Sequence, residues 1–335
     1  MSALPLTTYR RVAISAWDCL SPAGDARASW RAVTTGVRAI GREPGIGWCG
    51  RIPAALGGED LITAAMRAVE HPWRSIAELP GPTACSISTS KGDMHALADA
   101  CAGEPRRLMA AFAGGLSLRV AGRLGVVDGI PCPVAAACST GLYAVLAAAD
   151  LIERGACARG IAGAADRSLT PLILAGFAAL GVTCADLAPV AFPGCNDDAT
   201  GFALAEGAGF VALADDGPWR LVAGVRSADA GHETHFVDPR TLSTCLEALW
   251  SACPDPDLIV THGTGTRIGD AYERRGLDDG PWARAPRLHC KPSIGHCLGA
   301  SGAVELAIAL SGDARRIWKL SLGFGGHLAA IAIIR

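Results

Sequence analysis

The chain has 335 residues, half of them hydrophobic, and a formal net charge of −2. A chain of this length can bury a large core, either as one large domain or as two fused halves. The charge balance gives no support to nucleic-acid binding, although a small acidic protein could still dock on a local cluster of arginines.

Strands and helices are predicted to alternate along the chain. The predicted strands cover residues 11–16, 83–89, 160–164, 207–214, 219–227, 258–261 and 328–334. The predicted helices cover residues 26–35, 60–70, 94–101, 242–253 and 302–310, and residues 108–124 are expected to be helical in part. Because several strands are uniformly apolar, both faces of their sheets must be covered, which predicts a layered α/β fold.

The sequence favours a cytoplasmic protein. Residues 1–11 lack an apolar core of signal-peptide length, and the thirteen cysteines lack the regular spacing of a secreted disulfide framework. Residues 129–149 carry no charge and are long enough to span a membrane, but Pro131, Pro133 and Gly141 interrupt them. A buried strand followed by a buried helix explains this stretch better, so no membrane association is expected.

Cys138 stands between an apolar run, residues 133–137, and a small-residue segment, residues 139–141, that leads into an apolar helix pattern. This order predicts a buried strand, a sharp turn and a helix, with the thiol at the turn. A helix N-terminus carries about +0.5 of an elementary charge on its unpaired N–H groups, so the thiolate is expected to be favoured there. Cys138 is therefore predicted to be a nucleophile.

Two histidines occupy similar small-residue segments. His262 follows an apolar strand and precedes Thr264 and Thr266, whose hydroxyls can bind polar groups in a cleft. Lys291 and His296 flank a turn before an apolar helix. The glycines after His262 lack the dinucleotide-binding spacing, which argues against a nucleotide site. A thiol and two imidazoles suit thioester chemistry, in which the thiolate takes an acyl group and the imidazoles donate hydrogen bonds or act as acid or base.

A metal site is a competing interpretation of the histidines. The dipeptides 289–290 and 296–297 are both His-Cys and supply four potential zinc ligands, but their paired spacing differs from the usual Cys-x-x-Cys form. The segment 232–235, His-Glu-Thr-His, has one residue too few for the zinc-protease helix motif, and a loop is the better interpretation. No metal is therefore expected.

The order of these segments resembles the β-ketoacyl synthases, the thiolase-fold condensing enzymes of fatty-acid and polyketide synthesis. The resemblance covers nearly the whole chain and rests on five ordered segments. They are Ala136 to Gly141, Gly201 to Gly209, the loop around His262, Lys291 to Gly302, and Leu322 to His327. It implies a thiolase-like layered αβαβα fold built from two pseudo-symmetric halves, residues 1–190 and 191–335, with the loop-rich stretch 189–200 as the midpoint.

The resemblance also implies catalytic roles. Cys138 matches the acyl-accepting nucleophile, and His262 and His296 match the pair that promotes malonyl decarboxylation and stabilises the resulting enolate. Lys291 matches the lysine that supports the histidines. Phe324 matches the gate residue beside the cysteine, and its backbone N–H would form the oxyanion hole with that of Cys138. A Cys-His-His set resembles the elongating type of the family.

Three further residues match positions in the family's site. Thr264 and Thr266 match residues that hold the phosphopantetheine arm, and Glu206 matches a buried acidic residue. Because an acyl carrier protein delivers that arm, the resemblance implies no cofactor bound by the chain itself. It implies an acyltransferase that condenses a Cys-bound acyl group with a malonyl thioester on the carrier protein.

The chain departs from the family pattern at several places, and it is short for the family. Residues 226–254 and 311–319 look trimmed, and Leu328 replaces an Asn of the last loop. Two alternatives therefore stay open: a non-elongating, chain-length-factor-like subunit of a heterodimeric synthase, and an acyltransferase or thioester hydrolase that uses the same cysteine. A homodimer, or a heterodimer with another ketosynthase-like chain, is expected. The arginines that could dock an acidic carrier protein are Arg67, Arg74, Arg106 and Arg107.

Overall fold

The structure, a computed structural model, describes residues 6–58, 60–184, 188–190 and 201–335. Its strands are β1 (Leu6–Thr8), β2 (Ala13–Leu20), β3 (Gly41–Glu43), β4 (Gly47–Gly50), β5 (Thr83–Ser88), β6 (Gly129–Pro131), β7 (Arg159–Asp166), β8 (Leu204–Ala205), β9 (Gly207–Ala214), β10 (Trp219–Ala228), β11 (Leu258–Val260), β12 (Arg287–Leu288), β13 (Arg316–Gly323) and β14 (His327–Ile334). Its α-helices are α1 (Ala26–Thr35), α2 (Leu61–Ile76), α3 (Met94–Cys101), α4 (Leu108–Ala111), α5 (Ala113–Arg123), α6 (Thr140–Glu153), α7 (Pro171–Ala179), α8 (Arg240–Ala252), α9 (Arg267–Asp278), α10 (Lys291–Ile294) and α11 (Ser301–Leu310).

One long sheet contains most of these strands. Its order is β12-β11-β13-β14-β10-β2-β9-β7-β5-β6, and β1 pairs with β10. The sheet is continuous at its middle because Trp219 of β10 pairs with Ile14 of β2, and Arg220 pairs with Ala13. A smaller sheet has the order β3-β4-β8.

The two ends of the long sheet repeat one topology. In the N-terminal half, β6, β5 and β7 are parallel neighbours, while β9 runs antiparallel to both β7 and β2. In the C-terminal half, β12, β11 and β13 are parallel neighbours, while β14 runs antiparallel to both β13 and β10. Both halves therefore have the same strand order and directions, which confirms the two pseudo-symmetric halves.

Helices cover both faces of each half-sheet. The central layer contains α6, which packs on β5, β7 and β14, and α11, which packs on β2, β9 and β13. All ten residues of α11 are buried. The helices α2 and α5 cover the outer face of the N-terminal half, and α8, with α9 beside it, covers that of the C-terminal half. These layers confirm the predicted αβαβα fold, in which apolar strands require cover on both sides.

Local sequence signals set several element ends. The helix α1 begins after Asp25, whose carboxylate accepts the N–H of Ala28, and ends at Gly36, which has a φ of 71°. A capping carboxylate and a left-handed glycine are the usual start and stop of a helix, and the predicted bounds of α1 are confirmed.

Other predicted elements are wrong or were missed. Residues 133–137 form no strand; the short strand β6 ends at Pro131, because two prolines, Pro131 and Pro133, cannot donate ladder hydrogen bonds. The strand β13 was missed because Lys319 interrupts its apolar pattern. Within the described residues, no helix is long and apolar enough to cross a membrane.

The expected division at residue 190 remains a prediction, since residues 191–200 of the proposed midpoint lie outside the described residues. The strand β9, which follows that point, pairs with β2 and β7 of the N-terminal half. We propose that the halves divide between Ala214, the end of β9, and Trp219, the start of β10.

Candidate active site

One cavity contains the three side chains that the sequence singled out. It has a volume of about 550 Å³ and is lined by Cys138, His262 and His296. Cys138 comes from the turn before α6 in the N-terminal half, and both histidines come from loops of the C-terminal half. The fold therefore brings one thiol and two imidazoles together from distant points of the sequence.

Cys138 lies in a tight turn at the start of α6. The turn is a single 3-10 turn, Ala137–Ser139, in which the N–H of Ser139 donates to the carbonyl of Ala136 at 2.9 Å. Ala137 has a φ of 46°, a left-handed conformation that costs an alanine about 1–2 kcal/mol. Leu298 has a φ of 49° at the matching turn before α11, so both halves use the same bend.

The electrostatics of Cys138 differ from the expectation. Burial is the largest influence and raises the pKa of the thiol to about 11. The positive charges of Lys91 and Lys291 and the backbone N–H of Phe324 lower the pKa, but by less. The prediction of a favoured thiolate is therefore wrong, because burial leaves Cys138 as a neutral thiol that faces the cavity.

His262 is held by Lys291 through its ring and its backbone. The Lys291 ammonium lies 3.5 Å from Nδ1 of His262 and also donates to the His262 carbonyl. An ammonium can only donate, so this contact assigns the acceptor role to Nδ1 and the ring proton to Nε2. Burial, followed by the charge of Lys291, holds the pKa of His262 well below its usual range, so the ring is neutral at physiological pH.

Two carboxyl groups that the sequence analysis missed support the His262 loop. Glu273 is buried and accepts the N–H groups of His262 at 2.6 Å and Gly263 at 2.7 Å. Burial raises the pKa of Glu273 to about 7. Asp270 accepts the N–H groups of Thr264 and Gly265. Both acids lie on α9, three residues apart and therefore on one helix face. This spacing is visible in the sequence and could have indicated that both carboxyl groups face the same loop.

His296 is buried and fixed on two sides. Its Nδ1 lies 2.8 Å from the hydroxyl of Ser301, and its backbone N–H donates to the carbonyl of Ala203 at 2.7 Å. Its ring lies edge-on to Phe202, with centroids 4.8 Å apart, and 5.4 Å from the ring of His262. Burial, followed by the charge of Lys291, keeps the pKa of His296 well below its usual range.

A buried charge cluster lies behind His262. Lys291 is 2.6 Å from one carboxylate oxygen of Glu305, and Lys319 is 2.5 Å from the other. All three side chains are buried. The family resemblance implies a supporting role for Lys291 but none for Glu305 or Lys319, although a lone acid in an apolar helix indicates a buried partner.

The Gly-rich loop places Phe324 at the cavity wall. Gly326 has a φ of 71°, and a Cβ there would lie 1.7 Å from the carbonyl oxygen of Asp229, so no other residue fits. The N–H of Gly325 donates to the carbonyl of Glu233 at 2.7 Å. The ring of Phe324 lies 6.0 Å from that of Phe177. The loop therefore holds the Phe324 N–H near Cys138, where it lowers the pKa of the thiol.

The predicted substrate-binding residues divide into two groups. Thr264 and Thr266 line the cavity, and their hydroxyl oxygens are 2.8 Å apart. Glu206 is buried but does not line the cavity: its carboxylate accepts the N–H of Ile52 at 3.0 Å and lies 3.3 Å from the guanidinium of Arg167. Glu206 therefore supports neighbouring segments, and its predicted substrate-binding role stays a prediction.

The residues of the metal interpretation form no metal centre. Within residues 6–58, 60–184, 188–190 and 201–335, no three His, Cys, Asp or Glu side chains are grouped to hold an ion. The segment 232–235 is a loop, as predicted, in which the rings of His232 and His235 stack with centroids 3.8 Å apart.

Family comparisons agree with this geometry. The model of the β-ketoacyl synthase N-terminal domain matches residues 61–216, and that of the C-terminal domain matches residues 224–314. The chain belongs to the β-ketoacyl synthase family. The division between the two matches also falls close to the start of β10.

Curated relatives of the chain include a polyketide β-ketoacyl synthase and a 3-oxoacyl-[acyl-carrier-protein] synthase. The chain is 33% identical over 197 residues to the actinorhodin polyketide putative β-ketoacyl synthase 1 of Streptomyces coelicolor, which covers 52% of this chain and 41% of that protein. It is 29% identical over 214 residues to the 3-oxoacyl-[acyl-carrier-protein] synthase 2 of Vibrio cholerae, covering 57% of this chain and 52% of that protein. The chain thus spans about half the length of the curated relatives it matches.

Solved structures confirm the thiolase-like fold of the chain. A β-ketoacyl synthase from Burkholderia phymatum superposes with a TM-score of 0.84 at 18% identity, covering 97% of this chain and 99% of that one. A ketosynthase and chain length factor of ishigamide synthesis gives a TM-score of 0.83 at 20% identity, with the same coverage.

Proposed function

We propose that the chain catalyses a decarboxylative Claisen condensation of the elongating Cys-His-His type. The observation that carries the proposal is that Cys138, His262 and His296 line one cavity of about 550 Å³. A thiol can take an acyl group, and two neutral imidazoles can stabilise an enolate. The substrates would be an acyl thioester and a malonyl thioester, each on the phosphopantetheine arm of an acyl carrier protein.

The first step is acyl transfer to Cys138. The sulfur forms a bond to the acyl carbon, the bond from that carbon to the carrier sulfur breaks, and the thiol proton leaves with the carrier thiol. The resting thiol is neutral because burial raises its pKa to about 11. Proton loss must therefore accompany attack, and the backbone N–H groups of Cys138 and Phe324 can stabilise the developing oxyanion.

The second step is decarboxylation and condensation. The malonyl group loses carbon dioxide, and the electrons of the broken bond form an enolate at the thioester carbonyl. Both rings present a proton on Nε2 when Lys291 donates to Nδ1 of His262 and the Ser301 hydroxyl donates to Nδ1 of His296. The enolate carbon then forms a bond to the acyl carbon, and the bond from that carbon to the Cys138 sulfur breaks. The released thiolate takes up one proton from solvent, which restores the neutral thiol, and the product is a β-ketoacyl thioester.

Product analysis tests this proposal against a change of reaction. The enzyme is incubated with an acyl carrier thioester, with and without a malonyl carrier thioester, and the products are identified by mass. We expect a β-ketoacyl thioester only when malonyl is present, and none from Cys138→Ala. Free acid in the absence of malonyl would instead identify a hydrolase, and condensation by Cys138→Ala at the wild-type rate would refute the assignment.

A second chain is also part of the proposal. No residue of α7 is buried, and Leu172 of this helix is 70% exposed. A helix that is apolar on all sides is normally covered, so we infer that another ketosynthase-like chain packs on it. Relatives solved as pairs of a ketosynthase and a chain length factor support this inference.

Light scattering of the purified chain tests the second-chain inference. A homodimer that becomes monomeric in Leu172→Glu would support it. A monomer acylated at Cys138 only when a separate ketosynthase-like chain is added would support the partner-subunit role. A monomer that is fully active alone would contradict both forms of the inference.

A further inference from the structure

Lys319 is a second buried lysine beside the active site. It lies in β13 between Trp318 and Leu320, and its side chain has no solvent exposure. Its ammonium donates to Glu305 at 2.5 Å, to the carbonyl of Thr261 at 3.1 Å and to the carbonyl of Leu320 at 2.6 Å. A buried charge is tolerated only where such partners exist, so this position is specifically built for an ammonium group.

The contacts of Lys319 mirror those of Lys291. Each ammonium binds one oxygen of Glu305, and each also binds one carbonyl at the end of β11: Thr261 for Lys319 and His262 for Lys291. The two carbonyls are consecutive in the chain. The two lysines therefore hold, from two elements, the peptide segment that carries the His262 ring.

The cluster also has one more cation than anion. Lys291 and Lys319 share the single carboxylate of Glu305, so this three-residue cluster carries one positive charge in excess when both lysines are protonated. Burial lowers the pKa of Lys319, and the charge of Glu305 opposes that shift. Cys290 packs against the same cluster, but burial raises the pKa of its thiol, so it adds no negative charge. In a buried site, a charge of this kind acts strongly on an anion in the neighbouring cavity.

We propose that Lys319 is a positioning residue for the decarboxylation step: it holds Glu305 and the end of β11 so that Lys291 stays against His262, and its charge favours the anionic malonyl and enolate groups. The proposal rests on the proposed function. The acyl group that reaches Cys138 is neutral, and backbone N–H groups stabilise the oxyanion that develops during its transfer, whereas malonyl and its enolate are anionic. Loss of Lys319 should therefore slow the second step far more than the first.

Two variants of Lys319 test the proposal. Lys319→Met removes the ammonium at similar length and leaves Lys291 and Glu305 as a balanced pair, a change that buried ion clusters often tolerate. Lys319→Gln also removes the charge but keeps an N–H donor for Thr261. Ser321→Ala is the matched control, because Ser321 is buried in the same strand and its hydroxyl has no hydrogen-bond partner among the described residues.

Acylation of Cys138 is measured by intact mass. Decarboxylation is measured as the release of labelled carbon dioxide from a malonyl carrier thioester that is labelled in its free carboxyl group. We expect both Lys319 variants to acylate within about threefold of wild type and to decarboxylate about tenfold more slowly or worse. Ser321→Ala should match wild type in both steps. Equal loss of both steps, or an unchanged decarboxylation rate, would overturn the proposal.

A second readout does not depend on turnover. The groups that face His262 are Lys291, Lys319, Glu273 and His296. Removing one positive charge should raise the pKa of His262, which NMR titration of labelled histidine reports. An unchanged His262 titration in both variants would overturn the positioning role. The proposed function can fail separately. If the Lys319 variants shift the His262 titration but the wild-type protein never decarboxylates a malonyl thioester, the positioning role is supported and the proposed function is refuted.

Discussion

Replacing Ser301 with alanine tests how His296 is prepared for catalysis. The Ser301 hydroxyl lies 2.8 Å from Nδ1 of His296, and both residues are buried. When the hydroxyl donates to Nδ1, the ring proton lies on Nε2, where it can hydrogen-bond a substrate carbonyl. Ser301→Ala removes that donor and leaves Nδ1 of a buried ring without it.

The magnitude follows from the burial of this hydrogen bond. A buried polar atom that loses its partner costs about 1–3 kcal/mol. In a chain of 335 residues this corresponds to a decrease in Tm of about 1–4 °C. If the same interaction is lost from the transition state, decarboxylation should slow by about 5- to 150-fold.

The assay measures carbon dioxide release from a malonyl carrier thioester beside thermal unfolding. Ser243→Ala is the control, because Ser243 lies on α8 and is partly exposed. Among the described residues, its hydroxyl donates only to the carbonyl of Arg240. The control should keep the wild-type rate and a Tm within about 1 °C. A Ser301→Ala enzyme that decarboxylates within twofold of wild type would refute the reasoning about the His296 tautomer.

Three further predictions concern pH and the Gly-rich loop. Burial raises the pKa of Glu273 from 4.5 to about 7, so the folded state holds a proton that the unfolded state releases. The free energy of unfolding should therefore fall by about 3 kcal/mol as pH rises from about 4.5 to 7. Glu273→Gln should flatten the plot of Tm against pH in this range, and equal slopes for the variant and wild type would contradict the prediction. Because the pKa of Cys138 is about 11, the rate at which iodoacetamide alkylates Cys138, followed on its own proteolytic peptide, should rise about tenfold per pH unit between pH 7 and 10. A plateau of this rate near about pH 8 would contradict the prediction. Gly326→Ala should lower the free energy of unfolding in urea by about 2 kcal/mol or more, because the new Cβ meets the Asp229 carbonyl. Gly325→Ala should lower it by only about 1–2 kcal/mol, because no atom lies closer than 3.5 Å to its Cβ. Equal losses in the two variants would refute the steric argument.

Much of the fold was predictable from periodicity and caps. The strand β9 and the helices α1 and α3 have the bounds that apolar runs and turn residues predict. The strand β13 was not predictable in this way, because its buried Lys319 is a polar residue whose partners, Glu305 and Thr261, are distant in sequence. Patterns along the chain report periodicity, whereas ion clusters form only when separate elements meet.

The site shows the same division. The small-residue segments around Cys138, His262 and His296 predicted the residues that share the cavity. The chemical state of Cys138 was not predictable, because the helix-end effect is local in sequence while burial depends on the whole fold. The position of Glu206 also depends on the whole fold. Its match to a family segment predicts a buried acid, but the ion pair with Arg167, a residue distant in sequence, forms only when separate segments meet.

Covalent capture of the acyl group tests the central claim most directly. Wild-type protein and Cys138→Ala are exposed to an acyl carrier thioester, alone and with a separate ketosynthase-like chain, and intact mass is recorded. The account predicts a mass increase equal to the acyl group on wild type, its location on Cys138 after proteolysis, and no increase on the variant. An equal increase on Cys138→Ala, or no acylation of wild type under either condition, would contradict the claim that Cys138 carries the acyl group.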